Sequence, residues 1–411
     1  VPYPRVHLST SDPELVPRWE TGFLRPIAWL RCDARTLRTT AYAGQTVFKQ
    51  WDDPLEPLQW MSRTFPEKNA RWIGYLSYDL GRCFETLPTQ ARDDLDLPLY
   101  AFVCCVPVLE RYNVPEPIYD LAPAGAGARA IRTAADLPST FTCDAYQQAV
   151  ARAIDYIAAG DVFQINLSQR FTCPLLEQPL EIYRRLRERT QPRYGAYLGF
   201  DDFALICNSP ELFFRVEPDR TIVTRPIKGT RPDRPGMEEE LRQSIKDQAE
   251  LNMIVDLERN DLGRVCEVGS VRVTEPRVIE RHPTVLHGVA TVEGKLRPEV
   301  DFVSLLRAVF PGGSITGAPK IRAMEIIDEL EPVRRGPYCG AIGCLAPNGF
   351  MQFNIAIRTM IAKDASVHLP VGGGIVADSD PAMEYEETLV KAKAMLDALS
   401  PNLTSGGKEL R

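Results

Sequence analysis

The segment Thr221-Ile222-Val223-Thr224-Arg225-Pro226-Ile227-Lys228-Gly229-Thr230-Arg231 opens with four β-branched residues, which predict a strand. Pro226 pins one backbone angle and Gly229 relaxes another, so the strand is expected to end in a fixed turn that presents Lys228. A free lysine amine has a pKa near ~10.4 and is a poor nucleophile at neutral pH. Desolvation or a neighbouring cation lowers that value, and Arg225 and Arg231 flank the lysine. The same residues also fit a basic turn with a solvated lysine.

The rest of the chain sets bounds on this segment. Its 411 residues suffice for two domains or one with a large core. Lys and Arg number 48 against 55 Asp and Glu, a net charge of −7 without a basic run, which argues against nucleic acid and anionic membranes as partners. No apolar run approaches the ~20 residues that span a bilayer, and the first residues show no signal-peptide core. The ten cysteines form no C-x-x-C pair, and Cys104 and Cys105 are adjacent, so reduced thiols and a cytoplasmic location are expected. The four histidines lack zinc-site spacing; any metal would be held by carboxylates, which points to magnesium.

Along the chain, Trp72 to Tyr78 and Tyr100 to Leu109 read as strands, and the Pro-bounded stretch Ala122 to Ala135 as a linker. The tail from Pro401 is expected to fray. A helix starts near Asp144 and closes at Gly160. Val162 to Ser168 alternates as a strand, with Phe163, Ile165 and Leu167 on one side and Gln164, Asn166 and Ser168 on the other. Tyr194 to Phe200 and Phe203 to Cys207 form a hairpin through Asp201-Asp202. Glu211 follows the second strand, where it reads equally as a turn carboxylate. Met237 to Arg259 reads as one long helix carrying Asp247 and Glu250 on one face, and Val285 to Val292 as a strand carrying His287.

Two glycine-rich stretches are rejected as nucleotide motifs. Gly312 to Lys320 has Ala318-Pro319 where a phosphate-binding loop needs Lys-Ser/Thr; it reads as a loop opening the helix Lys320 to Leu330. Gly372-Gly373-Gly374 lies in a strand pattern where a dinucleotide motif needs a helix, which excludes a nicotinamide cofactor; it still lets a carboxylate approach backbone amides. Gln352 to Ile361 alternates as one strand with Arg358 projecting from it. The last helix opens with Asp380 as N-cap and Pro381 as first residue. On it Glu384, Glu387 and Lys391 share a stripe that would ordinarily be a solvated face. The pairs Asp247/Glu250 and Glu384/Glu387 are expected to clamp one divalent ion between two helices.

The order and content of these motifs resemble those of the chorismate-utilising enzymes, a family that includes anthranilate synthase large subunits, isochorismate and salicylate synthases, and aminodeoxychorismate synthase component I. The resemblance runs from about Asp144 to Leu399 and rests on Phe163 to Arg170, Ser209-Pro210-Glu211, Arg225 to Arg231, Asp256 to Leu262, Thr316 to Lys320, and Gly372 to Glu387. Residues 1–138 carry less of it and lack a Leu-Leu-Glu-Ser-like tryptophan-sensing signature. The resemblance implies an α+β fold of the anthranilate synthase component I type: a large antiparallel β-sandwich with helices packed outside. Residues 1–138 would be woven into the sandwich, residues 139–400 would form the catalytic domain, and 401–411 a flexible tail.

The resemblance also implies roles. Isochorismate and salicylate enzymes carry a lysine base where this chain has Gln164, and anthranilate synthases usually carry Ala where it has Lys228. Lys228 is similar to the nucleophile of the aminodeoxychorismate synthase branch. By that likeness Lys228 attacks C2 of chorismate and Glu211 protonates the departing C4 hydroxyl, with His287 as the family's active-site histidine or, equally, a core residue. Glu250 and Glu387 would hold Mg²⁺ directly, and Asp247 and Glu384 through water. Gly372, Gly373 and Gly374 would bind the ring carboxylate. Arg358, Tyr338 and Lys391 would hold the enolpyruvyl carboxylate, with Gln164 and Thr316 lining the substrate. No glutaminase segment or fused lyase domain is visible, so a glutamine amidotransferase subunit is expected to supply ammonia, and a separate lyase to act downstream. The competing expectations are anthranilate synthase component I and a catalytically silent chorismate-binding subunit.

Overall fold

The computed structural model describes residues 4–15, 19–22, 24–108, 133–282 and 285–399. Most of the predicted linker, the end of the strand predicted to reach Leu109, and the predicted tail lie outside the described residues.

Two antiparallel sheets face each other. The first contains seven strands: in spatial order β1 (Arg5–Ser9), β8 (Tyr194–Gly199), β9 (Phe203–Ser209), β18 (Thr359–Lys363), β19 (Ser366–Ile375), β7 (Gln164–Pro174) and β15 (Gly317–Ala318). The second contains twelve. Its order runs β12 (Ile227–Pro232), β14 (Val285–Lys295), β11 (Thr221–Arg225), β10 (Leu212–Val216), β17 (Met351–Ile355) and β16 (Ala341–Leu345). It continues through β5 (Arg71–Leu76), β6 (Tyr100–Pro107), β2 (Leu24–Cys32), β3 (Thr39–Ala43) and β4 (Thr46–Trp51), and β13 (Arg272–Arg281) pairs on β14. The first part of the chain thus supplies strands to both sheets.

Burial on both faces explains the apolar strands. On β6, Tyr100, Phe102, Cys104 and Val106 pack outward, while Ala101, Val103 and Cys105 pack between the sheets. The period of two therefore sends adjacent Cys104 and Cys105 into opposite layers. All ten cysteines are free thiols. The inter-sheet layer joins Ile73, Tyr75 and Ile342 of the larger sheet to Leu198, Phe203, Leu205 and Ile361 of the smaller.

Helices cover the outer faces. Those on the larger sheet include α1 (Glu56–Arg63), α5 (Ile245–Gly263) and α6 (Phe302–Val309), whose Leu58, Leu251, Val255, Phe302 and Leu306 share one cluster with β5, β6 and β17. On the smaller sheet, α3 (Pro179–Thr190) and α8 (Pro381–Leu399) bury Ile182, Leu186, Met395 and Leu399. Helices α2 (Cys143–Ala158) and α7 (Lys320–Leu330) cover β7 through Tyr146, Val150, Ile326 and Ile327. The short helix α4 (Met237–Gln243) precedes α5. The expected sandwich with outer helices is present.

Three local expectations change. The strand through Thr224 does not end in a turn; it resumes after Pro226 as β12, with a bulge between Ile227 and Thr230 where Gly229 takes φ +81°. The long helix is two helices, because Ser244 leaves helical geometry and caps α5 by accepting from Asp247 N at 3.3 Å. The strand Gln352 to Ile361 is also two, and its halves lie in different sheets. Asn354 and Met360, on the strand faces opposite Phe353 and Ile361, are buried as well.

That last break positions the site. Strands β9 and β18 pair in the smaller sheet, and their continuations β10 and β17 pair in the larger. A two-stranded ribbon thus passes from one sheet to the other, with Glu211 at the kink of one strand and Arg358 at the kink of the other. Arg358 takes φ +49° there, so it stands on a strained connector rather than projecting from a strand.

Candidate active site

Beside this kink the bulge of β12, the glycines of β19, and helices α5 and α8 converge. The Lys228 amine lies 3.7 Å from Glu250 Oε2 on α5. A Cβ placed on Gly374 would lie 3.2 Å from the same amine and 2.7 Å from Gln164 Nε2, so these three residues touch one small volume. Burial pushes the lysine pKa down and Lys391 adds to this; Glu250, Glu211 and Glu387 oppose it. The flanking arginines, expected to act on the lysine, are engaged elsewhere. Arg225 pairs with Glu275 and Glu280, and Arg231 with Glu240 and Asp247.

Glu211 is buried, and burial raises its carboxyl pKa to about 7 against the pull of Ser314, Lys228 and Arg358. A carboxyl tuned to neutrality can hold a proton and release it in a reaction at pH 7. The Arg358 guanidinium has no hydrogen-bond or salt-bridge partner among the described residues, and burial lowers its pKa. A guanidinium left without an anion in such surroundings is a ready receptor for one. His287 shares a contact of 2.9 Å between its Nδ1 and Thr230 Oγ1. Burial and nearby Arg358 lower its pKa to about 3, so it stays neutral at working pH.

Both amide atoms of Gln164 are buried without a partner. An unsatisfied buried polar group costs about 1–3 kcal/mol, so its retention beside Lys228 marks a place for a polar ligand. Gly373 is equally close to the acidic helix: a Cβ there would lie 3.1 Å from Glu384 Oε2 and 3.7 Å from both Glu387 Oε1 and Lys391 Nζ. Lys391 donates to Gly372 O at 2.8 Å and pairs with Glu387 at 2.6 Å.

The four carboxylates expected at a metal thus surround one region, from α5 and α8. Each has a protein partner: Asp247 has Arg231 at 3.0 Å, Glu250 has Lys228, Glu384 accepts from Ser379 Oγ at 2.7 Å, and Glu387 has Lys391. Among the described residues no three acidic, histidine or cysteine side chains are gathered tightly enough to hold an ion. In chemistry the set fits a hard cation, since all four donors are oxygen.

Two expected residues are held differently from the rest. The Thr316 hydroxyl donates to Gly312 O at 2.9 Å, within its own loop. Tyr338 is buried in the cluster on the outer face of the larger sheet.

The family model for chorismate binding enzymes matches residues 25–397. The chain belongs to the chorismate-binding enzyme family. It is 38% identical over 422 aligned residues to aminodeoxychorismate synthase component 1 of Bacillus subtilis, covering 93% of this chain and 89% of that protein. It is 42% identical to anthranilate synthase component 1 of Thermus thermophilus, covering 80% of this chain and 77% of that one. The crystal structure of anthranilate synthase component I from Streptococcus pneumoniae TIGR4 superposes with a TM-score of 0.76 at 29% identity, covering 94% of this chain and 97% of that chain.

Within this chorismate-binding fold, sequence reasoning assigned no role to Glu258, Ser314 or Asn166. Glu258 and Thr224 are hydrogen-bonded at 2.5 Å, with the Thr224 hydroxyl as donor. Asn166 Oδ1 and the Ser314 hydroxyl are buried without a hydrogen bond of good geometry. The alternation of β7 placed Asn166 on the face of Gln164, which was the available signal. Nothing local in Leu257-Glu258-Arg259 distinguishes Glu258 from a solvated helix carboxylate. No helix among the described residues is long and apolar enough to cross a membrane.

Proposed function

We propose that this chain is an aminodeoxychorismate synthase component I, converting chorismate and ammonia to 4-amino-4-deoxychorismate. The observation that carries the reading is Lys228: a desolvated amine on a strand bulge, beside Glu250, Gln164 and Gly374 and electrostatically coupled to Glu211. Its lowered pKa favours the free-base form that attack on carbon needs. Lys228 attacks C2 of the ring while Glu211 gives its proton to the C4 hydroxyl, which leaves as water. Ammonia then bonds to C4, and the C2–nitrogen bond to Lys228 breaks.

Arg358 receives the enolpyruvyl carboxylate together with Lys391, and Gln164 gives its free amide to the substrate. The side-chain-free segment Gly372 to Gly374 lets the ring carboxylate approach backbone amides. Glu250 and Glu387, with Asp247 and Glu384 behind them, would hold Mg²⁺, which would supply positive charge for that carboxylate. Neutral His287 orients through Thr230 without adding charge. Ammonia comes from a glutamine amidotransferase subunit, and a separate lyase removes pyruvate afterwards.

The test is to incubate the purified chain with chorismate, Mg²⁺ and an ammonium salt, and to identify the products by mass. The expected product is 4-amino-4-deoxychorismate, lost in Lys228→Ala. Anthranilate as the product would assign the chain to the other amino-transferring branch. No conversion, even with an amidotransferase and glutamine supplied, would leave a silent chorismate binder.

A further inference from the structure

The amination draws a proton from outside the site. Ammonia enters as NH₃, the C4–oxygen bond breaks to release water, and the new amine is protonated at neutral pH, since an aliphatic amine titrates near ~10. One proton per turnover must therefore reach the site, and Glu211 is the group that has lost one. Its own surroundings give it little solvent contact.

A second carboxyl stands behind it. Glu258 reaches in from α5 and accepts from the Thr224 hydroxyl at 2.5 Å. Thr224 precedes Arg225, which registers with Leu212, the residue after Glu211. Leu257, next to Glu258, would touch a Cβ on Gly313, the neighbour of Ser314, which faces Glu211. The two carboxyls are thus held by adjoining backbone and lie within electrostatic reach of each other. Beyond Glu258 on the same helix, Asp261 pairs with Lys320 of α7 at 2.5 Å.

We infer that Glu258 is a positioning residue that stores a proton and passes it to Glu211 through the Thr224 corner of the site. The transfer is balanced: neutral Glu258 and ionised Glu211 become ionised Glu258 and neutral Glu211, and Glu258 then recovers a proton from water. The residue keeps partial exposure while its carboxyl is desolvated, which suits both halves of that exchange. Burial, Glu211 and Asp261 raise its pKa to about 8 against Thr224 and Lys320, and Lys228 and Arg358 also act on Glu211. A coupled pair of this kind loses its protons in two steps, so one proton remains within the pair between about pH 7 and 8.

This inference rests on the reading of Glu211 as the acid. The test compares pH–rate profiles of the Mg²⁺-supplied chain, with chorismate and ammonium, for wild type, Glu258→Gln and Glu211→Gln. It adds infrared titration of protonated carboxyl bands in the substrate-free protein. Glu258→Gln keeps an acceptor for Thr224 but holds no acidic proton. Its alkaline limb is expected to move down by about one pH unit with KM for chorismate unchanged, and the infrared titration to lose the later of two steps. An unmoved profile in Glu258→Gln, or a wild-type titration with one step, overturns the relay and leaves Glu211 as the acid. Wild-type turnover in Glu211→Gln overturns the acid assignment itself, and the relay with it.

Discussion

Glu211 and Arg358 occupy the same break in the fold, one on each of two strands that change sheets together. The backbone ties them: Ile355 N donates to Glu211 O, and Asn208 N to Arg358 O, each at 3.1 Å. Glu211 in turn supports the charge on Arg358, whose pKa burial would otherwise lower further. The proposed acid and the proposed anion receptor are thereby each fixed by main chain at the same break, which leaves little freedom for either to drift.

The protonation of Glu211 should appear in stability as well as rate. Its folded pKa of about 7 lies above the ordinary 4.5, so the folded state binds more protons between those values. The stability it contributes is complete below about pH 4.5 and is lost as pH rises through about 7. Glutamine stays neutral throughout. Glu211→Gln is therefore expected to be inactive yet more stable than wild type at pH 8, by roughly 1–3 kcal/mol in urea unfolding, and no more stable at pH 4.

Glycines in this protein divide by what they touch. A Cβ on Gly374 meets the ends of two site side chains, whereas one on Gly340 meets Leu76 O at 2.0 Å. Gly374→Ala should keep its Tm within a few degrees and raise KM for chorismate by about tenfold or more. Gly340→Ala should lower Tm clearly by forcing backbone apart. Thermal melts and steady-state kinetics on the two variants separate the effects.

Glu331 and Arg335 form a pair that is almost fully buried, at 2.6 Å, with Arg335 also donating to Ile315 O and Asn166 O. Arg335→Met leaves the buried Glu331 carboxyl without its cation and only partly bonded, through Ser168. The expected loss is about 3–5 kcal/mol, read from denaturant midpoints.

Magnesium binding should follow the carboxylates of α5 and α8. Calorimetric titration of the chain with Mg²⁺ in the presence of chorismate is expected to show one site. Asp247→Asn and Glu384→Gln should weaken it by about 10–100-fold, and Glu250→Gln or Glu387→Gln more. EDTA should stop turnover and Mg²⁺ restore it. Turnover unaffected by chelation would remove the ion from the mechanism.

Much of this was readable in the chain because each signal was local. Asp380 does cap α8, accepting from Met383 N at 2.9 Å, and the helix Lys320–Leu330 has the bounds its sequence indicates. The hairpin through Asp201-Asp202 is present. The misreadings came where local pattern continued through a tertiary event. Alternation runs unbroken from Gln352 to Ile361, yet the chain leaves one sheet and joins another at Arg358, since both sheets bury both faces. Helical periodicity likewise runs through Ser244, although Ser244 with Asp247 three residues on was a legible capping signal. Pro226 and Gly229 marked a departure from regular strand, but sequence could not say whether that departure was a turn or a bulge. The partners that absorb Arg225 and Arg231 come from β13, α4 and α5, brought against them by the tertiary fold, and no spacing announces them.

The shared kink has a consequence for how the molecule comes apart. A ribbon that is half in each sheet cannot let one sheet melt and leave the other with its pairing intact: β9 and β18 would be pulled by β10 and β17. Register is locked twice, since a slip of one residue would turn side chains over in both layers. The sandwich should therefore unfold as one cooperative unit, with the region of Glu211 and Arg358 among its last parts to exchange amide hydrogens.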